Sequence, residues 1–319
     1  MRSFFHHEIS SVAIGKNGAR SADERESAKP ALRSAAEVIT LEHINWYPGH
    51  MKKTRELIQE NLKLVDAVIE VIDARIPVSS RNPVIDELTR RKARIIVLNK
   101  SDLADEDACI AWAESLRTEN SAALSTNCMS GTGIGELFRL LETMERKKNQ
   151  DSGRSRPFRL MIVGVPNVGK SSLINRMTGR HSAQTGDRPG VTKGKQWLKL
   201  KNQMQLLDTP GILWPKFEDP KAGRNLAFCG SIKDEILDVP TLGMELIGLL
   251  AEHYPQLLQQ RYQLEEIAET PLENMERIAR KRGCILSGKR IDYERTGRMV
   301  LDEFRGGKIG RITLERPKK

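Results

Sequence analysis

An apolar run, Leu160–Val163, leads without a gap into Gly164-Val165-Pro166-Asn167-Val168-Gly169-Lys170-Ser171 and then into a helix-like stretch, Ser172–Met177. A strand, a GxxxxGK[ST] loop and a helix in this order commit the chain to an α/β sheet with a phosphate cradle at a strand end. The glycines let the backbone of Asn167, Val168 and Gly169 turn its N–H groups inward around phosphates. Lys170 neutralises the β and γ oxygens, Ser171 offers a hydroxyl to Mg²⁺, and Ser172 follows inside the helix. A nucleotide is the expected ligand.

Three further motifs complete such a site. Asp208-Thr209-Pro210-Gly211 ends the run Gln205–Leu207, about forty residues after the phosphate loop, where a carboxylate holds Mg²⁺ through water and Gly211 reaches the γ-phosphate. Between them, in Arg188-Pro189-Gly190-Val191-Thr192, the Thr192 hydroxyl can cap Mg²⁺ when the γ-phosphate is present, which makes this loop an expected switch. The base is read earlier in the chain. After Ile95–Leu98 comes Asn99-Lys100-Ser101-Asp102, whose carboxylate can accept from guanine N1–H and the 2-amino group. Adenine offers no such pair, and a site built on polar pairing discriminates by roughly 10⁴–10⁵. Asn99 shapes the loop and the Lys100 stem lies along the base. A further strand ends at Ser125-Thr126-Asn127, where a backbone amide can meet the guanine oxygen. GTP and GDP are therefore the expected ligands.

The order is unusual, because the base reader precedes the phosphate loop. Joining the termini of a compact α/β domain through a polar connector at 147–156 and cutting after the 205–208 run preserves the sheet. Apolar runs at Ala67–Ile72, Ile95–Leu98, Ala122–Ser125, Leu160–Val163, Trp197–Leu200 and Gln205–Leu207 alternate with helical stretches. After about Asn225 the spacing becomes helical. The expected fold is α/β, a P-loop GTPase three-layer sheet with circularly permuted motif order, followed by an all-α C-terminal domain. Expected boundaries are 1–41 for a flexible tail, 42–225 for the GTPase domain and 226–319 for a helical basic domain.

Composition narrows the partners. No stretch of the 319 residues approaches the ~20 apolar residues that cross a bilayer. No membrane partner is expected. Cys109, Cys128, Cys229 and Cys284 form no CxxC pair, so buried thiols are expected rather than a zinc site. The net charge of +10 is concentrated between Thr270 and Lys319, with fourteen Lys/Arg against seven Asp/Glu. A polyanion such as RNA suits that segment by counterion release, although a solvated helical face has the same composition.

With these motifs in place, the chain from His43 to Lys319 resembles the YlqF/RbgA-type circularly permuted GTPases that assist large-ribosomal-subunit assembly. Beyond the nucleotide motifs the likeness rests on Trp46-Tyr47-Pro48-Gly49-His50-Met51, Asp73-Ala74-Arg75-Ile76-Pro77, Asp302-Glu303-Phe304-Arg305 and Gly307-Lys308-Ile309-Gly310-Arg311. It implies a ribosome-dependent GTPase whose C-terminal domain contacts ribosomal RNA, with Arg305, Lys308 and Arg311 as candidate contacts. Ile212 follows Asp208-Thr209-Pro210-Gly211 where many GTPases carry a water-orienting Gln, so slow intrinsic hydrolysis is expected. Two residues resemble replacements. Asn167 is similar to the Asn that helps hold K⁺ in potassium-stimulated GTPases, and His50 to the family's candidate catalytic histidine. The partner implied is a precursor of the large subunit and its rRNA, bound by a protein that is monomeric off the ribosome. A cytoplasmic location is expected, with a mitochondrial one as the alternative. The competing function is a GTPase module that drives a tRNA-modifying reaction.

Overall fold

A computed structural model describes residues 48–152, 156–179, 196–208 and 219–317. The expected tail, 1–41, lies outside them. All six apolar runs form strands: β1 (Ala67–Asp73), β2 (Ala93–Asn99), β3 (Ser121–Ser125), β4 (Arg159–Val163), β5 (Gln196–Lys199) and β6 (Gln205–Asp208). They make one sheet in the order β3-β2-β1-β4-β6-β5, parallel except for the antiparallel β5–β6 pair. Every residue of central β1 is buried, as expected for a strand covered on both faces.

Side chains of successive residues leave opposite faces of a strand, and the core follows that alternation. Ile69, Val71, Ile95, Val97, Leu160 and Ile162 pack on one side with Leu137 and Leu141 of α4 (Ile134–Ser152) and Leu173 and Ile174 of α5 (Lys170–Thr178). On the other side, Val68, Met161 and Leu207 meet Ile58 and Leu62 of α1 (Pro48–Leu62) and Ile85 of α2 (Pro83–Thr89). Ile72, Ile96 and Leu98 meet Cys109 and Trp112 of α3 (Glu106–Ser115). The result is a helix–sheet–helix sandwich. The stretch read as a polar connector is partly helical, since α4 continues to Ser152. Lys147, Lys148 and Gln150 are strong helix formers, and polarity on an outer face does not stop a helix.

Beyond β6 the described residues carry α6 (Pro220–Phe228), α7 (Val239–His253), α8 (Pro255–Tyr262), α9 (Pro271–Arg282) and α10 (Tyr293–Arg305). A Cβ on Gly297 of α10 would stand 2.6 Å from the Val239 carbonyl of α7, so the two backbones touch where only glycine fits. Leu226, Phe228, Leu246 and Phe304 belong to the same apolar cluster as the first sheet face. The helical part is thus built onto the sheet rather than tethered to it. The boundary expected at 225/226 falls inside α6. The four thiols are free and buried, and burial pushes Cys229 up to about 12.

Candidate nucleotide site at the carboxyl edge of the sheet

Parallel strands end on the same side, so Ser125, Asn99, Asp73, the 164–171 loop and Asp208 line one edge in that order. The chain spreads from β1 out to β3, then starts again beside β1 with β4 and spreads the other way. Ligands of parallel sheets bind in the crevice at such a switch point. The phosphate loop follows β4 directly into it.

Lys170 opens α5, with Ser171 and Ser172 in its first turn, so the positive end of the helix faces the crevice. The buried Lys170 Nζ donates to the Val165 carbonyl at 2.7 Å, folding the ammonium over its own loop. Asn99 ties this loop to the base loop. Its Nδ2 donates to the Val168 carbonyl at 2.8 Å, while its Oδ1 accepts from the Thr126 hydroxyl and the Cys128 amide, both at 3.2 Å. Gly169 has φ +97° and its absent Cβ would lie 2.2 Å from Asn99 Nδ2. Any side chain there would break the link. Asn167 also has a left-handed backbone, φ 62°, and its Nδ2 donates to the Gly230 carbonyl at 2.6 Å.

The base loop is held from below. Lys100 has φ 59°, and its Nζ lies 3.0 Å from Asp73 Oδ2, which leaves the exposed Asp102 at the loop tip. Asp73 also binds Arg75 in a fork, with Nε at 2.9 Å and Nη2 at 2.8 Å. Burial alone would raise the Asp73 carboxyl, but Arg75 and then Lys100 overcome it and hold it well below the usual carboxylate range. In the 125–127 loop, Thr126 N–H donates to the Leu98 carbonyl and Asn127 N–H to the Thr132 carbonyl. Asn127 Oδ1 accepts from the Met129 and Ser130 amides. These bonds shape the loop beside Asn99, and they occupy the Thr126 and Asn127 amides.

Thr192 and Gly211 lie outside the described residues, as do the side chains of Asp208 and His50. The backbone puts Asp208 at the end of β6 and His50 third in α1. The backbone sets Ser171 in the first turn of α5 and Asp208 at the end of β6, which pairs with β4 in parallel, and a hydroxyl and a carboxylate are residue types whose oxygens suit Mg²⁺.

Residues 159–278 match the family described as 50S ribosome-binding GTPase. A Bacillus cereus protein named ribosome biogenesis GTPase A is 45% identical over 280 residues, covering 86% of this chain and 95% of its own length. This chain belongs to the ribosome biogenesis GTPase A family. It is a GTPase, hydrolysing GTP to GDP and phosphate. Mouse mitochondrial ribosome-associated GTPase 1 is 35% identical, with 85% of this chain and 90% of that protein covered. The GNP-bound structure of YlqF from T. maritima superposes with a TM-score of 0.57 at 30% identity, over 84% of this chain and 99% of that one.

Within this family member the three basic residues singled out for RNA are placed differently from one another. Lys308 is exposed. Arg305 is committed inside the protein, donating to the Phe228 and Ala227 carbonyls at 3.0 and 2.9 Å and pairing with Asp234 at 2.8 Å. Arg311 donates to the Ala104 and Ser101 carbonyls at 2.7 and 3.1 Å and pairs with Glu106. Asp73 and Arg75 appeared in the sequence only as a family signature. An acid ending a fully buried strand was the available signal for their role. Glu315 gave none, because the groups it holds, the Val78 and Ser79 amides, the Ser79 hydroxyl and Asn225 Nδ2, are far away in the chain.

Proposed function

We propose that this GTPase acts on a precursor of the large ribosomal subunit, with the edge between β3 and β6 as its nucleotide site. The observation that carries the site is the Asn99 side chain, bonded at once to the phosphate loop and to the 126–128 loop. It brings a candidate base reader, Asp102, and a candidate phosphate cradle, Asn167–Ser172, into one frame. Thr192, Asp208 and Gly211 complete the γ-phosphate side in this reading, and Mg²⁺ held by Ser171 and Asp208 would neutralise phosphate charge. The family description and the relatives' names, ribosome biogenesis and ribosome-associated, support the partner. No described helix is long and apolar enough to cross a membrane. A tRNA-modifying role finds no support in these relatives. A monomer in a cytoplasmic setting is the reading we carry, and the murine relative keeps the organellar alternative in view.

Asp102→Asn tests the base assignment. Losing charge-assisted acceptance from guanine should weaken GTP by roughly 100-fold, on the order of 3 kcal/mol, and favour xanthosine triphosphate, whose 2-oxo group meets the new amide donor. Competition titrations with both nucleotides check this, and an unchanged preference removes Asp102 from the site.

For turnover, His50 supplies the group that Ile212 cannot, and Asn167 holds K⁺ through its side-chain oxygen. His50→Ala should leave GTP-dependent particle binding intact and lower particle-stimulated hydrolysis by about 10²–10⁴. The unsubstituted protein should slow when Na⁺ replaces K⁺. Phosphate release measured on purified particles reads both, and normal rates in either arm retire the corresponding role.

A further inference from the structure

The guanine-reading loop is held less by its own residues than by a segment more than two hundred positions later. Arg311 Nε donates to the Ala104 carbonyl at 2.7 Å and its Nη2 to the Ser101 carbonyl at 3.1 Å. Ile312 N–H donates to the Leu103 carbonyl at 2.9 Å, and the Thr313 hydroxyl accepts from the Asp105 amide at 3.0 Å. Arg316 pairs with the Asp105 carboxylate at 3.0 Å. Ser101, Leu103, Ala104 and Asp105, which bracket Asp102 on both sides, thus each have a backbone group satisfied by one strip, by the Arg311 and Thr313 side chains and the Ile312 amide.

The strip is itself nailed down. Leu314 N–H donates to the Arg75 carbonyl at 2.8 Å, and the Tyr254 hydroxyl donates to the Thr313 carbonyl at 2.8 Å. Glu315 is buried, accepting from the Val78 and Ser79 amides and from Asn225 Nδ2 of α6. The loop therefore rests on a rigid support that belongs to the helical part of the protein.

We propose that the strip Arg311–Arg316 sets the position of the guanine reader, with Arg311 a positioning residue for base recognition. The proposal rests on the assignment of Asp102 to the base. A carboxylate selects guanine by two hydrogen bonds only if it is held where both can form, and between a left-handed Lys100 and the exposed Asp102 the loop's own backbone supplies a single turn bond, Leu103 N–H to the Lys100 carbonyl, beside the bond from Ser101 N–H to the Thr126 carbonyl. The Arg311 fork holds the loop from outside. Withdrawing the strip would free three carbonyls and one amide of the loop to water and let Asp102 wander. Loss of the strip's bonds alone then loosens the base loop, while Asn167 and Pro166 of the phosphate loop keep their bonds to Gly230 and Ser231.

The test compares GDP with IDP, which lacks the 2-amino group, by competition binding to the full chain carrying Arg311→Ala, Arg311→Lys or Thr313→Val. The GDP-over-IDP preference should fall by about fivefold or more in Arg311→Ala and less in Thr313→Val, with Arg311→Lys between Arg311→Ala and the unsubstituted protein. Hydrogen exchange should quicken at residues 101–105 and stay unchanged across 164–171. A preference that is unchanged in folded Arg311→Ala and Thr313→Val overturns the proposal, as does an equal loss for the two nucleotides, which marks general damage. Thr313→Val keeps the test alive if Arg311→Ala does not fold. Asp102→Asn in the same assay separates the two ideas: if it leaves the preference intact the base assignment fails, whereas a changed preference there with none at Arg311 and Thr313 condemns the strip alone.

Discussion

Lys170→Ala should lose tight binding of guanosine triphosphate while remaining folded. The ammonium is buried, and its bond to the Val165 carbonyl keeps it inside the loop that opens α5. No other described side chain of that loop carries positive charge. Truncating one member of a buried, hydrogen-bonded charge pair costs about 2–5 kcal/mol. That corresponds to a loss of roughly 30- to 4,000-fold in Kd. GDP should suffer less than GTP because it brings fewer phosphate charges to the same place. The protein gives up the ammonium's bond to the Val165 carbonyl in a loop whose other ties, from Asn99 and Asn167, remain, so its melting temperature should hardly move. Calorimetric titration of both nucleotides, beside a melting curve, decides the matter: triphosphate affinity that survives would mean phosphates do not bind at 164–171.

The second large effect concerns stability. Arg75→Ala should destabilise the protein by about 3–5 kcal/mol, the range for stripping one partner from a buried ion pair. Arg75 is 1% exposed, engages both Asp73 oxygens and lies 5.2 Å from the Phe304 ring centre. Without it the Asp73 carboxylate faces Lys100 alone in a dry site, and the C-terminal end of α10 loses its seat on β1. The pH dependence carries a sign. Asp73 has a folded pKa held below its unfolded value, so its stabilisation is fully present above that unfolded value and is lost as pH falls through the folded one. In Arg75→Ala the main lowering charge is gone, the penalty is greatest near neutrality, and it shrinks in acid as the carboxyl takes a proton. Urea denaturation at pH 7 and near pH 4 measures the difference between the proteins. A cost below about 1 kcal/mol at pH 7 would contradict the buried-pair account. Asp73→Asn combined with Arg75→Met should recover much of the loss, because the orphaned charge is removed with its partner.

The strands were legible because parallel strands buried on both faces must be continuous apolar runs, and Ala67–Ile72 or Leu160–Val163 can hardly be anything else in a chain with a phosphate loop behind one of them. The nucleotide motifs were legible for a related reason: the geometry of a phosphate cradle or a guanine reader is built within a few adjacent residues, so their spacing survives in one dimension. The extent of α4 was not, since a solvated helical face and a polar connector share a composition.

Arg305 and Arg311 show the other limit. In the sequence they were basic residues in a basic segment, candidates for an RNA surface, and nothing local tells that Arg305 closes on the Ala227 and Phe228 carbonyls or that Arg311, though exposed, also closes on the Ser101 and Ala104 carbonyls some two hundred residues earlier. The sequence by itself determined the sheet and the place of the 164–171 loop after β4, and it carries the base-reading role proposed for Asn99, Lys100 and Asp102, because each depends on neighbours in the chain. Only the tertiary structure decided that Asp73 and Arg75 link the base loop to α10, and that the strip from Arg311 to Arg316 lies across that loop. Those contacts join groups whose sequence separation carries no periodicity or spacing, and they form only once burial has brought residues 73–105 and 304–316 together at one sheet edge.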